Sequence, residues 1–590
     1  MARISASSVP SQIDRINRFK GINVSVDPTQ LEYNESPSML NMTLDTEGAL
    51  DKRTGYAKLF PTALGGTVWS AFDYRKSDGT TEHLLHAGTN LYRMPVDGTQ
   101  PTSIYASLAN SRSNMFAMAG KVYIQDGTNY LEYDGTTVKE PDPYIPTLFI
   151  STPPAGGGTA FEDFNLLGTK FKQSFSGDGT ATVFQLALSG LDATPVTAVV
   201  GVTTINEGSG LTVDRTLGKV TFTTAPATGT PNNVVITASK TTAGMKQKIT
   251  ACKNARLYGG TNDTRVFMWS KNILYRSDVY RPNYFPENAF QKVGGDDDIQ
   301  NMVIQYDTAV IEKEFSKWSL RYEQDSTGKA LFPIRPINDT VGCIAPLSSQ
   351  IVENAPVSLT RNGVYTLAGG NVRDERNVSQ ISKRIDKLLL AEPNLKDAIS
   401  IDFDQKYMIF LNGNVYVWDY RLNEWYPWDN FPATSVWEID SRLYFGDVAG
   451  NVYYLKKLGE NAAYRDNTQA IIWHWYGKQN AFGMDERRKL VEKVEVTIKP
   501  DSATSAEMYY ITDQTQSPLV ARLKMNMFDF NNFNFGEFTF LVNNFPQSTM
   551  TKIKAKKIVY FQLYFKGQEI DESLGLLSIS IIYSPQSLVK

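Results

Sequence analysis

The sequence predicts an all-β protein: a β-propeller with an inserted small β-sandwich and a C-terminal β-sandwich domain. Three observations favour this fold class. The 30 Tyr and 30 Phe residues favour strands over helices. The 42 Gly and 27 Pro residues mark many turns. Short runs of alternating polar and apolar residues recur along the chain, and its 590 residues exceed what one hydrophobic core organises.

The turns between these runs carry a recurrent tripeptide, Asp-Gly-Thr. It occurs at Asp78, Asp97, Asp126 and Asp134. Asp-Gly supplies the positive φ angles of tight hairpin turns, so each copy predicts two antiparallel strands joined by a turn. A second unit, in which a small polar residue precedes aliphatic and aromatic ones, returns at 272–275, 362–367, 414–419, 442–447 and 451–455. Spacings of about 30 to about 50 residues are typical of four-stranded propeller blades.

Changes in composition divide the chain into four parts. The first part is polar and irregular, and the insert is rich in Thr, Val, Ala and Gly with almost no Tyr or Trp. The last part combines Trp473-His474-Trp475 with a charged run and long alternating strands. The predicted parts are an extended N-terminal arm at 1–59, a propeller platform at 60–169 and 241–460, an inserted β-sandwich at 170–240, and a C-terminal β-rich domain at 461–590.

One segment is predicted to make contacts between chains, and a second is open to two interpretations. The arm carries spaced apolar residues that a polar segment cannot bury alone, so we expect them to pack on a neighbouring chain, either another subunit or a partner protein. These candidate assembly contacts are Phe19, Ile22, Met39, Leu40 and Leu50. An aromatic and asparagine tract at 525–535 is either a contact loop or part of a core.

Charge and cysteine content exclude several classes of protein. The net charge is −3 and the pI about 5.9, whereas a protein that grips nucleic acid through its phosphates usually has a basic excess. Cys252 and Cys343 are the two cysteines, so no disulfide scaffold is expected and both are predicted to be buried and reduced. We expect no signal peptide and no membrane span, because the N-terminus lacks an apolar region and no run of 18 apolar residues occurs.

Residues with catalytic or metal-binding chemistry are sparse. His83 and His86 have no third ligand nearby in the sequence, so we expect hydrogen-bonded strand histidines. Phosphate-binding, zinc-protease and nucleophile-elbow motifs do not occur, and we expect neither enzymatic activity nor a cofactor. The strongest acidic feature is Asp296, Asp297 and Asp298 after two glycines, and three interpretations stay open: a solvated loop, a Ca²⁺ site, or a glycosidase carboxylate pair.

Several phrases of the sequence resemble a known family. Those at 19–23, 36–42 and 48–56 read Phe-Lys-Gly-Ile-Asn, Ser-Pro-Ser-Met-Leu-Asn-Met and Gly-Ala-Leu-Asp-Lys-Arg-Thr-Gly-Tyr. With the phrases at 362–386 and 414–425, they resemble the tail nozzle and hub ("stabilization" or tail tubular) proteins of short-tailed bacteriophages. The resemblance covers residues 15–60, 80–150 and 250–460.

The resemblance implies a structural virion protein, assembled in the host cytoplasm and located in the tail. Its copies would form a hexameric ring below the portal and adaptor that retains the packaged genome and conducts DNA at ejection without binding it tightly. Tail fibres are possible further partners. Asp296, Asp297 and Asp298 are the candidate channel-lining residues, since a ring of carboxylates would repel phosphate. Two alternatives remain: a host-receptor or carbohydrate-binding tail protein, and a propeller hydrolase.

Overall fold

The computed structural model describes residues 10–368, 377–500, 503–526 and 545–589. The described chain is almost entirely β, as the sequence predicts, with two one-turn helices and one 3₁₀ turn. No helix within these ranges is long and apolar enough to cross a membrane. Most of the aromatic and asparagine tract, residues 527–535, lies outside the described residues.

The N-terminal segment forms five short strands. They are β1 (Gln12–Ile16), β2 (Ser38–Leu40), β3 (Met42–Leu44), β4 (Leu50–Lys52) and β5 (Tyr56–Lys58). Within the segment, β3 and β4 pair with each other as a hairpin. The remaining partners of the five strands belong to strands more than 380 residues later in the chain, which makes this segment part of two distant structures.

Two four-stranded antiparallel sheets follow, which we call ring sheets 1 and 2. Their strands are β6 (Val68–Arg75), β7 (Thr81–Ala87), β8 (Asn90–Arg93), β9 (Thr102–Tyr105), β10 (Asn114–Met118), β11 (Lys121–Gln125), β12 (Tyr130–Tyr133) and β13 (Val138–Lys139). Each sheet pairs its strands in chain order. The Asp-Gly-Thr turns work as predicted: the Asp78 carboxylate accepts hydrogen bonds from Thr80, and Gly79 has φ +85°.

An inserted sheet of nine strands comes next. Its strands are β14 (Thr147–Thr152), β15 (Thr159–Ala160), β16 (Lys170–Phe175), β17 (Val183–Gln185), β18 (Thr197–Val200), β19 (Thr203–Glu207), β20 (Gly210–Asp214), β21 (Lys219–Phe222) and β22 (Val234–Ser239). The helix α1 (Gln247–Thr250) leads back to the ring sheets. The insert buries its own apolar cluster, including Phe171, Phe184 and Val220.

Ring sheets 3, 4 and 5 continue the four-stranded pattern. Their strands are β23 (Asn254–Tyr258), β24 (Arg265–Ser270), β25 (Ile273–Arg276) and β26 (Phe290–Lys292); β27 (Ile299–Gln305), β28 (Thr308–Lys313), β29 (Lys317–Arg321) and β32 (Ile334–Asn338); and β33 (Gln350–Val352), β34 (Ala355–Thr360), β35 (Gly363–Leu367) and β36 (Val378–Gln380). A small hairpin, β30 (Glu323–Gln324) with β31 (Ala330–Leu331), interrupts ring sheet 4.

The helix α2 (Asp386–Leu389) and a 3₁₀ turn at Leu395–Asp397 precede ring sheets 6 and 7. The strands of these sheets are β37 (Ile399–Phe403), β38 (Lys406–Leu411), β39 (Asn414–Asp419) and β40 (Glu424–Trp428), then β41 (Ser435–Ile439), β42 (Arg442–Gly446) and β43 (Val452–Leu455). Ring sheet 7 takes its fourth strand from the N-terminal segment, because β5 pairs with β43.

The seven ring sheets form a closed circle. The first strand of each sheet contacts the first strand of the next sheet in chain order, from β6 through β10, β23, β27, β33 and β37 to β41. The circle closes because β41 contacts β6. The first strands therefore surround a common axis, and the structure is all-β and propeller-like.

The last part of the chain forms two further sheets, which we call the double sheet. The strands of this part of the chain are β44 (Arg465–Asp466), β45 (Gln469–Ala470), β46 (Trp473–Tyr476), β47 (Arg487–Ile498), β48 (Ala503–Thr512), β49 (Ala521–Asn526), β50 (Gln547–Ile558), β51 (Phe561–Gly567) and β52 (Gly575–Leu588). One sheet has the order β3-β4-β52-β47-β50 with β1 beside β52, and the other has the order β2-β46-β51-β48-β49. The hairpin β44–β45 stands apart from both.

The expectation of an extended arm with unburied anchors is wrong. The double sheet incorporates β1 to β4, so the N-terminal segment is part of a domain. Phe19 is 4% exposed, Ile22 and Met39 are 2% exposed, and Leu50 is fully buried, all inside one chain. The fifth anchor, Leu40, is half-buried on β2. The apolar residues that seemed to need a neighbouring subunit are covered by the C-terminal strands and ring sheets 5 to 7.

The insert differs from the predicted sandwich in two respects. Its sheet begins at Thr147, inside the part assigned to the platform, because β14 pairs with β16. It is also one continuous sheet, in the order β15-β14-β16-β22-β18-β19-β20-β21-β17. Six flat strand spacings between β16 and β17 would span about 29 Å, yet the Phe175 and Phe184 rings lie 5.4 Å apart. The sheet curls around its own core, and curling replaces the second layer.

Removing residues 1–50 is expected to unfold the double sheet, because the deletion exposes core surface now covered by Phe19, Ile22, Met39 and Leu50. At about 1.5–3 kcal/mol per buried side chain, the loss equals a large part of the stability of a typical domain. Thermal unfolding and limited proteolysis of the truncated chain measure this. A truncated chain as stable and protease-resistant as the full chain would contradict the described packing.

Replacing residues 170–239 with a short glycine linker is expected to leave the rest of the chain folded. The two ends are adjacent, since the Lys240 amide donates to the Thr169 carbonyl at 2.8 Å, and Lys246 pairs with Glu140 at 2.7 Å. The insert also has its own core. Circular dichroism and size-exclusion chromatography check this outcome, which would be refuted by insoluble protein under conditions where the full chain is soluble.

Candidate functional site

The N-terminal phrase at 48–56 lies where ring sheets 6 and 7 meet the double sheet. Arg53 is 1% exposed and forms a bidentate ion pair with the buried Asp466, at 2.8 and 2.7 Å. Its remaining N–H groups donate to the Asn41 side chain and to the carbonyls of Thr54 and Asp429. All five guanidinium donors are thereby used, which is the condition under which a buried ion pair is tolerated.

Two glycines of the resemblance phrases permit close backbone approach at this junction. A Cβ atom on Gly55 would lie 1.9 Å from the Arg465 carbonyl oxygen, and one on Gly21 would lie 2.3 Å from the Trp425 carbonyl oxygen. Neither distance is compatible with a side chain. The Ile22 amide, next to Gly21, donates to the same Trp425 carbonyl at 2.8 Å. Glycine at these positions is required for the N-terminal segment to lie against ring sheet 6 and the β44–β45 hairpin.

Aromatic residues complete the junction. Tyr56 contacts Phe431, Phe445 and Tyr453 with ring centroids 5.0 to 5.3 Å apart. Its hydroxyl donates to the Asn430 carbonyl, and its pKa is raised by burial. These contacts anchor β5 in ring sheet 7, so the phrase that ends at Tyr56 joins the double sheet to the closing strand of the ring.

A cleft of about 620 Å³ opens beside this junction. Its walls come from the β3–β4 hairpin, the turns between the first two strands of ring sheets 6 and 7, the segment after β43, and the start of β52. Apolar atoms of Phe403, Met408, Trp428 and Leu443 form one wall, and Leu458 at the rim is 78% exposed.

Seven basic and three acidic side chains line the cleft; the basic ones are Lys52, Arg53, Lys406, Arg442, Lys456, Lys457 and Lys499. Four of these have carboxylate partners: Asp466 for Arg53, Asp404 for Lys406, Glu460 for Arg442, and Asp45 with Asp51 for Lys499. Lys52 and Lys456 donate to backbone carbonyls instead.

Burial lowers the pKa values of the two lysines that donate to carbonyls. Desolvation and the neighbouring Arg53 lower the pKa of Lys52 to about 8, and burial lowers the pKa of Lys456. Both ammonium groups would gain from an added negative charge, because an anion compensates for lost hydration. The cleft can therefore accept an anionic group beside apolar atoms.

The acidic loop connects β26 of ring sheet 3 to β27 of ring sheet 4. Asp296 is 95% exposed and pairs with Lys292 at 2.9 Å, and this hydrogen bond lowers its pKa. Asp297 pairs at 2.7 Å with Lys313, which is fully buried. Asp298 is exposed. Two of the three candidate channel carboxylates are thus compensated by lysines of the same chain, and a ring of full negative charge is not present at this loop.

The environments of His83, His86 and the two cysteines are typical of residues that stabilise a fold. His86 is fully buried between the Ser113 hydroxyl at 2.9 Å and the Gly88 carbonyl at 3.1 Å, and burial lowers its pKa to about 4. His83 contacts Asp73 at 2.6 Å. Both cysteines are free and buried, as predicted, and burial raises the pKa of Cys252 to about 12. Among the described residues no group of three His, Cys, Asp or Glu side chains could hold a metal ion.

Sequence reasoning missed the junction and its cleft. It assigned Phe19, Ile22, Met39, Leu40 and Leu50 to contacts between chains, and the structure places them inside one chain. The overlooked signal was the pair Lys52-Arg53 in a phrase rich in small and apolar residues. Arg53, which lies between Leu50 and Gly55, is a packing residue. It is buried against Asp466, which lies more than 400 residues later in the chain.

Comparisons with known sequences give no match, whereas many solved structures match the chain weakly. No family model matches the chain, and no curated protein matches it. The computationally designed Ika8 protein is 10% identical, with a TM-score of 0.33, over 68% of this chain and 99% of that chain. BamB from Moraxella catarrhalis is 9% identical, with a TM-score of 0.31, over 76% and 99%. YCF48 bound to D1 peptide is 9% identical, with a TM-score of 0.32, over 72% and 99%. Likenesses of this size carry no argument about function.

Replacing Arg53 with methionine is expected to lower the free energy of unfolding by about 3–5 kcal/mol, because Asp466 would be left buried and unpaired. Urea unfolding followed by fluorescence measures this. The matched control is Arg335→Met, whose side chain is 67% exposed and 3.4 Å from Glu323, with an expected change below about 1 kcal/mol. Equal effects of the two substitutions would show that the Arg53 pair does not fasten the junction.

Proposed function

We propose that the chain is a structural protein of a phage tail, in which a seven-bladed β-propeller forms the body of a nozzle or hub ring. The propeller assignment is supported by seven four-stranded antiparallel sheets whose first strands contact one another in a closed circle. Propellers are built from such sheets around a central axis. Strand β5, from the other end of the chain, completes ring sheet 7 as its fourth strand.

The observation that carries the tail assignment is the position of the resemblance phrases. Gly21, Arg53, Gly55 and Tyr56 each have a defined packing requirement at one junction between the ring sheets and the double sheet. The phrases shared with the nozzle and hub proteins are therefore the residues on which this domain arrangement depends. A resemblance that includes such positions supports a common architecture, and with it a common structural role.

The ring axis of a single chain is not a route for DNA. The cavity at the first strands measures about 140 Å³, enough for several water molecules. A DNA conduit therefore requires a lumen enclosed between several copies, as a hexameric ring below the portal and adaptor would provide. The net charge of −3 suits such a lumen, since few phosphate contacts would have to break during ejection.

The proposal predicts that the purified full-length chain assembles into rings. Multi-angle light scattering and negative-stain electron microscopy of the recombinant protein measure subunit number and shape, at several protein concentrations because assembly follows mass action. We expect ring-shaped particles of several copies with a lumen wider than the axis of each subunit. Addition of the matching tail adaptor is expected to shift free chains into rings.

Two other results would contradict the proposed role. A chain that stays monomeric at all concentrations, with and without the adaptor, and binds members of a glycan array would favour a receptor-binding tail protein. Turnover of a glycan by the purified chain would favour a hydrolase. The truncated chain without residues 170–239 is a control, because its ring sheets and double sheet are retained while the insert surface is removed.

A further inference from the structure

A small cavity lies on the axis of the sheet ring, apart from the cleft at the junction. Residues at or just before the beginnings of the first strands line it, including Asn114 of β10, Asn254 and Arg256 of β23, and Asn301 of β27. Arg112, before β10, and Ser349, before β33, complete its polar wall. Six of the seven ring sheets thus contribute to these six positions or to the neighbouring Ile399 and Val436, so the cavity is a product of ring closure.

The polar wall consists of hydrogen-bond donors with unused capacity. Arg112 donates through Nη2 to the Thr434 carbonyl, and Arg256 donates through Nε to the Met302 carbonyl at 3.0 Å, and their other N–H groups make no hydrogen bond within the described ranges. The Ser349 hydroxyl likewise has no partner in the part of the chain that the structure describes, although the residue is only 4% exposed. The side-chain amides of Asn114, Asn254 and Asn301, which line the same cavity, make no hydrogen bond to any described residue.

The charge of the cavity is uncompensated. No Asp or Glu side chain is among its lining residues. Desolvation lowers the pKa of the Arg112 guanidinium to about 10 and also lowers the pKa of Arg256, whose side chain remains exposed to solvent, and no acidic group opposes either shift. Arginine remains protonated at neutral pH in both cases. Two positive charges therefore share one polar cavity, in contrast to the fully paired Arg53.

We propose that this axial cavity is a binding site for one small oxyanion of the phosphate class, held by Arg256, Arg112 and the Ser349 hydroxyl. The volume of about 140 Å³ accommodates such an ion with a few waters. Planar guanidinium groups donate paired hydrogen bonds to phosphate and carboxylate oxygens, and a hydroxyl without a partner gains one. The bound anion neutralises the axis and couples the first strands of several ring sheets.

Calorimetric titration of the full-length protein with inorganic phosphate, in chloride buffer of constant ionic strength, tests the site. We expect one phosphate per chain with a Kd of about 1 mM or lower, and a phosphate-dependent rise in melting temperature. Arg256→Gln is expected to weaken binding by at least about tenfold, since it removes charge-assisted hydrogen bonds. Ser349→Ala, which changes little else, is expected to weaken it several-fold.

The control is Arg335→Gln, the same change of charge on an exposed side chain, which is expected to leave phosphate affinity unchanged. Titration with acetate in place of phosphate tests whether the site also binds carboxylates. We expect phosphate to bind more tightly than acetate. Absence of phosphate binding and of stabilisation in the unaltered protein would overturn the proposal. Equal losses in Arg256→Gln and Arg335→Gln would overturn it as well. If Arg256→Gln does not fold, unchanged phosphate affinity in Ser349→Ala would overturn the proposal.

Discussion

The buried pair of Arg53 and Asp466 is the contact through which the separate sheets of this protein become one structure. Its arginine follows β4 of the double sheet and precedes β5 of ring sheet 7, and its aspartate lies in the β44–β45 hairpin. Asn41 adds a second layer, donating to the Asp429 carboxylate at 2.6 Å and accepting from Arg53. Because every donor of the guanidinium is satisfied, the pair specifies one arrangement of three elements at little cost in unpaired charge.

This arrangement makes the two ends of the chain interdependent. Strand β1 pairs with β52, and β5 pairs with β43, so both the double sheet and the sheet ring are completed by the N-terminal segment. Pairings that span most of the chain are slow to form, since loop closure precedes any gain from the contact. The ring sheets, paired in chain order, can form from local hairpins, and we expect closure by β5 to be a late step in folding.

Local features of the fold were readable from the sequence, and long-range ones were not. The Asp-Gly pairs at Asp78 and Asp126 predicted hairpins because glycine readily takes a positive φ, and Gly79 and Gly127 have φ +85° and +86°. The pairing of β1 with β52 leaves no such local pattern, so Phe19 and Leu50 looked like contacts for another chain. The curl of the insert was equally hidden, because alternation along β16 and β17 specifies one buried face and does not say what covers it.

The buried cations and the cations on the ring axis differ in whether a carboxylate lies beside them. Arg53 and Lys313 are buried against carboxylates, and Arg112 and Arg256 lie on the ring axis, where no acidic residue lines the cavity. The whole chain has a net charge of −3, so the rest of the chain carries −5 when the two axial arginines are left out. In the proposed tail ring, lysines of the same chain would largely neutralise the loop at Asp296 and Asp297. Repulsion of DNA would then depend on carboxylates elsewhere on the lumen surface.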